Sequence, residues 1–354
     1  MSRAMSEELD GVLDEAQEQG RCVAADTRRQ TDALSRRAGE EGPLTRVARG
    51  LYARGTYWED LDQSERTLHV MRSLQRKNPD WVFCGTSAAL AFGADVSYEL
   101  QAPLEVASSR VTRLRDTELV TYRDVEWGVY SGEGPVVRSG VRVTPLARTT
   151  LDCLRRLSFS EGMVVADYAL RGRSGGRESL ERYFGDAGRG RRGVAQALET
   201  LSHADGRSES GGESIARSLM IEKNIMVPEL QVEIANPLDA CSPFRVDFVW
   251  ALSNGRIVLG EFDGIKKYRD KKMTRGRGAL WTLSRERRRE ALISLYQLPL
   301  LRFGMDEVRR PEELVALLEL YGIPCADSPL AQGREHAMPD WKALLRARGA
   351  AGVA

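Results

Sequence analysis

The run from Phe244 to Asp263 constrains this chain more than any other stretch. Phe244, Val246, Phe248 and Trp250 alternate with Arg245 and Asp247, the period of an extended strand with one face on a core. The turn signal Ser253-Asn254-Gly255 follows. A second extended run then sets Ile257, Leu259, Glu261 and Asp263 on one face. Folded as a hairpin, the two runs bring Asp247, Glu261 and Asp263 to one spot. Three carboxylates at the end of an apolar hairpin repel each other and lose hydration, and a hard divalent cation between them is the most direct compensation. Alternation alone also yields an ordinary outward-facing acid at Asp247, so the metal reading rests on the grouping.

The flanks of the hairpin supply further parts. A helix over about 212–224 carries Glu213 in its first turn, where the helix dipole alone also favours a carboxylate. Gln231, on the strand Glu229–Ile234, is a candidate hydrogen-bonding partner near the site although an ordinary strand position fits it as well, while Phe248 and Trp250 read as core. Beyond the hairpin, positions 265–290 hold eleven Lys or Arg against Asp270, Glu286 and Glu290. The whole chain is balanced, with 52 basic and 51 acidic residues, so only this local excess argues for a polyanion partner. Lys271, Lys272, Arg285, Arg288 and Arg289 are its candidate contacts, although a charged helix face is also simply solvated. That helix carries Leu283, Ala291, Leu292 and Leu295. Pro299–Phe303 reads as a short buried strand and Pro311–Leu320 as a closing helix, and residues 324–354 look loosely held.

Upstream, Leu9, Val12, Leu13 and Ala16 mark a helix, and shorter helices are expected around Ala24–Arg28 and Gln30–Gly39. The stretch from Leu44 alternates apolar and basic residues around Gly50. Three short helices before a basic ribbon give the outline of a winged helix-turn-helix, with Arg28, Arg36 and Arg49 as candidate nucleic-acid contacts. A small helical cap with solvated arginines fits the same spacing. Residues 58–205 form a mixed region: a helix over Ser64–Arg76, a buried strand and short helix from Trp81 to Gly93, and strands at Leu104–Ser108, Val120–Tyr122, Val125–Tyr130 and Gly140–Val143. Helices follow from Thr144, over Met163–Leu170 and from Val194. Gly85-Thr86-Ser87 lacks the full phosphate-loop pattern, so strand–helix packing is its plainer role. Arg171–Gly193 is rich in Gly and Arg and reads as exposed. The polar, glycine-heavy link from Ala204 to Gly212 marks a domain boundary.

Other chemistries are disfavoured. Five scattered cysteines without CxxC spacing suit reduced thiols in a cytoplasm. Three histidines without a shared motif give no basis for a His-ligated zinc or a Ser-His-Asp hydrolase. No window is long and apolar enough to span a membrane, and the N-terminus lacks the core of a signal peptide.

The dispersed elements GESIARSLM, PELQVEI, FRVDFVW, RIVLGEFDGIKKY and RRREALISLYQLPLLRF, over about residues 206–305, together resemble the PD-(D/E)XK nuclease superfamily, nearest its very-short-patch-repair-like domain. LTRVARGLYAR, CGTSAALAFG and VTPLARTTLD, over roughly residues 5–170, resemble abortive-infection type IV antitoxins. The expected fold is therefore α/β (α+β): a winged helix-turn-helix at 1–57, a mixed middle domain at 58–205, a restriction-endonuclease-like mixed sheet flanked by helices at 206–323, and a tail at 324–354. The resemblance implies Mg²⁺-dependent hydrolysis of DNA at Asp247 and Glu261 with Glu213 assisting, and Mn²⁺ as a substitute ion. It also implies, as the other outcome, a non-cleaving DNA-binding regulator with a toxin partner encoded nearby, and it is compatible with a homodimer. The sequence departs from the family at Asp263, where a lysine is usual. Either Lys266 or Lys267 reaches in from beyond the strand, or Asp263 is a third metal ligand.

Overall fold

The structure, a computed structural model, describes residues 3–39, 42–109, 114–125, 134–173, 175–239, 241–264, 279–325 and 338–348. The fold is mixed α/β, and the chain divides into two compact units, Met1–Ala204 and Asp205–Ala354.

The first unit opens with α1 (Arg3–Glu18), β1 (Val23–Ala24), α2 (Arg28–Arg37), β2 (Leu44–Ala48) and β3 (Leu51–Arg54), the strands forming an antiparallel sheet in the order β1-β3-β2. Leu9, Leu13 and Ala16 recur at helical spacing and bury one stripe of α1 against Leu34 and Tyr52. The helix expected over Ala24–Arg28 is absent. Val23 and Ala24 pair with Tyr52 and Leu51 instead, and Thr27, in extended backbone, caps α2 by accepting from Gln30 N at 3.2 Å. Two helices and a strand thus precede the ribbon, rather than three helices.

After α3 (Gly55–Asp60), α4 (Gln63–Lys77) starts at a reciprocal cap between Asp62 and Glu65. α5 (Gly85–Phe92) ends at Gly93, whose φ of 104° closes the helix. β4 (Leu104–Ser108) pairs in parallel with β5 (Val120–Asp124), and β6 (Val136–Arg138) pairs antiparallel with β7 (Val141–Val143). Phe83 bridges to both Val106 and Val143, so the strand expected near Trp81 is a single bridging residue. Of the strand expected at Val125–Tyr130, residues 126–130 lie outside the described residues. The Gly-Thr-Ser turn does receive an anion, but an internal one: Thr86 N and Oγ1 donate to Glu105 Oε2 at 2.8 and 3.2 Å, beside Arg123 and Arg156.

α6 (Leu146–Leu154), α7 (Phe159–Leu170), α8 (Gly176–Ala187) and α9 (Val194–His203) complete this unit. α8 corrects the reading of 171–193 as an exposed loop, because Leu180, Phe184 and Ala187 bury one helical stripe there. One buried cluster joins Cys22, Ala24 and Leu51 to Met71, Phe83, Leu151 and Phe184, so residues 1–57 and 58–204 share a core.

In the second unit, α10 (Gly211–Glu222) precedes β8 (Glu229–Ile234), β9 (Phe244–Ala251) and β10 (Ile257–Asp263). α11 (Ala279–Ile293) and β11 (Leu300–Gly304) follow, then α12 (Met305–Val308), α13 (Pro311–Leu320) and α14 (Trp341–Ala347). The sheet order is β11-β10-β9-β8, with β10 and β11 parallel and the other pairs antiparallel. One core cluster packs Ala216, Leu219, Leu314 and Leu318 on Phe248, Trp250 and Phe262. Another gathers Ile234, Val246, Val249, Leu259, Ile293, Tyr296 and Leu345.

The apolar residues of β9 therefore do not share one face. Phe248 and Trp250 join the first cluster, whereas Val246 and Phe244 join the second. The switch falls opposite Gln231 of β8, which has a φ of +52° and is skipped in the ladder between Leu230↔Phe248 and Val232↔Val246, while the register is kept on both sides of it. Past α11, Ile293 and Tyr296 are buried while Ala291 and Leu295 are exposed, which moves the apolar stripe from its expected place. The expected loose tail is likewise corrected at α14, where Leu345 is fully buried.

Candidate functional site

Asp247, Glu213 and Gln231 meet where β9 and β10 part, with Glu261 at the neighbouring position of β10. Pairing of these strands ends at Gly260↔Phe248, so Glu261 and Asp247 are the next facing positions. Asp247 Oδ2 there accepts from Phe262 N at 2.9 Å in place of a ladder partner. Both carboxylates are buried, at 9% and 6% exposure.

Glu213 arrives from the first turn of α10. Ser210 caps that helix by accepting from Glu213 N, and Gly212 lets the turn close on β10, since a Cβ there would fall 2.2 Å from the Phe262 ring. Glu213 accepts from Glu209 N at 3.0 Å, Ser210 Oγ at 2.8 Å and Gln231 Nε2 at 3.0 Å. The same Gln231 Nε2 lies 3.2 Å from Asp247 Oδ1, so one amide links the two acids. Burial, with the Asp247 charge as a smaller contribution, pushes the Glu213 carboxyl above its ordinary value despite these donors. The strained backbone of Gln231 and its doubly engaged amide therefore sit at one point.

Glu261 is met by Arg289 of α11, with Nη2 at 2.8 Å from Oε1. Of the candidate arginines on that helix, Arg289 thus turns inward, while Arg285 and Arg288 are exposed and Arg285 stacks 5.1 Å from the Trp281 ring. Asp263 does not join the buried acids. It is partly exposed and held by Arg302 of β11, with Nη2 at 2.8 Å and Nε at 3.3 Å. Lys266, Lys267, Lys271 and Lys272 lie outside the described residues. In the first unit Arg28, Arg36 and Arg49 are exposed, on α2 and in the β2–β3 turn.

A divalent cation can be tested against these charges. The donors that Asp247 and Glu213 meet among the described residues are all neutral: an amide, a hydroxyl and backbone N–H groups. Two buried carboxylates bridged by an amide leave negative charge that hydrogen bonds soften without cancelling. That suits Mg²⁺, which takes one or two protein carboxylates and keeps waters in its other positions. Among the described residues no group of three or more His, Cys, Asp or Glu side chains is placed to hold a metal, and Asp263, expected as a third ligand, is held by Arg302 instead. All five cysteines are free, and among the described residues no helix is long and apolar enough to cross a membrane.

Two Mycobacterium tuberculosis proteins are similar to part of the chain. They are "Uncharacterized protein MT2308" of strain CDC 1551 / Oshkosh and "Uncharacterized protein Rv2248" of strain ATCC 25618 / H37Rv. Each is 38% identical over 112 residues, which span 32% of this chain and 40% of the relative. No family model and no solved structure matches the chain.

Proposed function

We propose that the second unit hydrolyses phosphodiester bonds in DNA with Mg²⁺, Mn²⁺ serving as a substitute, at a site built on Asp247 and Glu261. The observation that carries this reading is the burial of those two carboxylates at facing positions where the strands part, with Glu213 tied to Asp247 through Gln231. The bound ion would neutralise the scissile phosphate and acidify a water. Asp247 and Glu261 would hold it, and Gln231 fixes the Asp247 rotamer. Glu213, with its raised proton affinity, is suited to exchange a proton at its carboxyl oxygens. Exposed Arg285 and Arg288 would neutralise flanking phosphates. DNA is the partner in this reading, and the cytoplasm its location.

Incubation of the purified protein with supercoiled plasmid tests it. Nicking or cutting should require Mg²⁺ or Mn²⁺ and fall at least about a hundredfold in Asp247→Ala and Glu261→Ala, with melting behaviour retained. Cleavage that survives both changes sinks the reading.

A second reading has specific support. Asp263, at the position where the resembled family has lysine, is neutralised by Arg302, and Arg289 is seated on Glu261. Both contacts suit a non-cleaving, antitoxin-type DNA-binding regulator with a toxin partner encoded nearby. It requires salt-sensitive binding to DNA upstream of its own gene, lost on changing Arg28, Arg36 or Arg49 to Ala. Absence of that binding at low salt counts against it.

A further inference from the structure

In the first unit, the end of α1, the side of α4 and the β6–β7 turn border a cleft of about 780 Å³. Four arginines line it, Arg21, Arg72, Arg76 and Arg142, against one carboxylate, Glu18. Arg72 is built in. Its Nη1 donates to Gly20 O and its Nε to Ser139 O, both at 2.7 Å, so its hydrogen-bond partners are carbonyl oxygens rather than a counter-ion. The backbone closes over it at two left-handed glycines. A Cβ at Gly20 (φ +59°) would lie 2.8 Å from Nη1, and one at Gly140 (φ +80°) 3.4 Å from Nε.

A structural staple between carbonyls needs one guanidinium, and here three more stand beside it. Arg21 is answered by Glu15 at 3.0 Å. Arg142 donates Nη1 to Pro79 O at 2.9 Å, and the acids nearest Arg76 and Arg142 are well exposed, Asp26 at 3.7 Å and Asp80 at 3.9 Å, contacts that water screens. Four guanidinium groups thus converge on the cleft, and the acids nearest Arg76 and Arg142 are exposed.

We propose that this cleft binds the phosphates of a small phosphorylated ligand of nucleotide size, with Arg72, Arg76 and Arg142 as its donors. Guanidinium forks match phosphate oxygens two at a time. The volume falls in the range of small-molecule sites, about 300–1,000 Å³. Burial lowers the proton affinity of Arg72, so this cation has more to gain from an anionic partner than an exposed arginine has. The proposal is independent of the hydrolase reading, which concerns the other unit.

The test is calorimetric titration of the full chain with pyrophosphate, ATP and a short DNA duplex, in EDTA at roughly 0.15 M salt. Saturable binding of pyrophosphate or ATP is expected, ATP binding the tighter if a nucleoside is also recognised. Arg76→Gln and Arg142→Gln should each weaken binding about tenfold with unchanged melting temperature. Arg72→Gln should abolish it, and because that change also removes the carbonyl staple, the Arg76→Gln/Arg142→Gln double variant is the deciding one. Arg256→Gln, in the other unit, should bind as wild type does. The proposal is overturned by any of three results: no saturable binding of either small ligand, equal affinity in the double variant, or duplex binding that the Arg76→Gln/Arg142→Gln double variant loses.

Discussion

Arg289 Nη2 stands 2.8 Å from Glu261 Oε1, where a cation held by Glu261 would also have to sit. Guanidinium and the proposed metal ion would therefore share one carboxylate. Arg289→Ala should cost about 1–2 kcal/mol in urea denaturation, discounted because the arginine is a third exposed. It should also enlarge the rise in melting temperature that Mg²⁺ produces, because the ion then meets Glu261 without a competitor. An equal or smaller rise than in wild type would show that the arginine and the ion do not share the carboxylate.

Gln231 separates backbone strain from side-chain bonding. Gln231→Gly and Gln231→Val both delete the amide that links Glu213 to Asp247, but only valine must hold a β-branched side chain at φ +52°. The valine variant should be less stable than the glycine variant by about 1–2 kcal/mol. Equal midpoints and slopes in denaturant would mean that the left-handed turn relaxes away.

Glu213 gives a pH dependence of defined sign. Its carboxyl is raised above the ordinary value of 4.5, chiefly by burial. A raised folded value gives stability that is complete below pH 4.5 and lost as pH climbs through the folded value. The stability of wild type relative to Glu213→Gln should therefore decline from acid toward neutral pH. A gap that widens over that interval would contradict the burial.

Glu105 has the opposite sign. Burial alone would raise its carboxyl, but the Arg156 guanidinium, Thr86 N and Arg123 outweigh it and hold it below 4.5. Its contribution is present above that pH and fades as pH falls through the depressed value. Glu105→Gln should cost about 1–3 kcal/mol near neutrality, allowing for the exposure of both arginines, and the difference should shrink in acid. A pH-independent difference between the two proteins in thermal or urea unfolding would rule this out.

Gly212 tests the approach of α10 to the sheet. A methyl group there would overlap the Phe262 ring, so Gly212→Ala should destabilise by about 1–3 kcal/mol, while Gly11→Ala, with open space around it, should be neutral or slightly stabilising. Comparable melting temperatures for the two variants would mean that the ring moves aside freely.

The sequence carried the hairpin, the order of the second unit's sheet strands and most helices of the first unit, because their apolar periods are long enough to read. Leu104–Ser108 is a strand with the bounds that its alternation predicts. The face assignment failed at Val246 because alternation assumes a regular strand, and β8 and β9 switch faces together opposite Gln231, which no pattern within the run announces. α8 was hidden by its glycines and arginines, although Leu180, Phe184 and Ala187 do repeat at helical spacing. Asp263 was grouped with Glu261 by parity, and nothing local announced that Arg302, on the next strand, would claim it. The cluster Arg285–Arg289 likewise gave no sign that its last arginine faces inward.

Leu230 lies in the cluster beneath α10, while Val232 and Ile234, on the other side of Gln231, lie in the cluster that seats Leu345. The two halves of β8 thus face different clusters, and β9 switches with them while the pairing register is kept. Because the pairing with β9 keeps one register on both sides of Gln231, a residue inserted there would shift every pair beyond it, from Val232↔Val246 to Ile234↔Phe244. The docking of the C-terminal helix is in this sense written as a count of residues in a strand far earlier in the chain, and evolution of this unit can exchange side chains there more freely than it can change the strand's length.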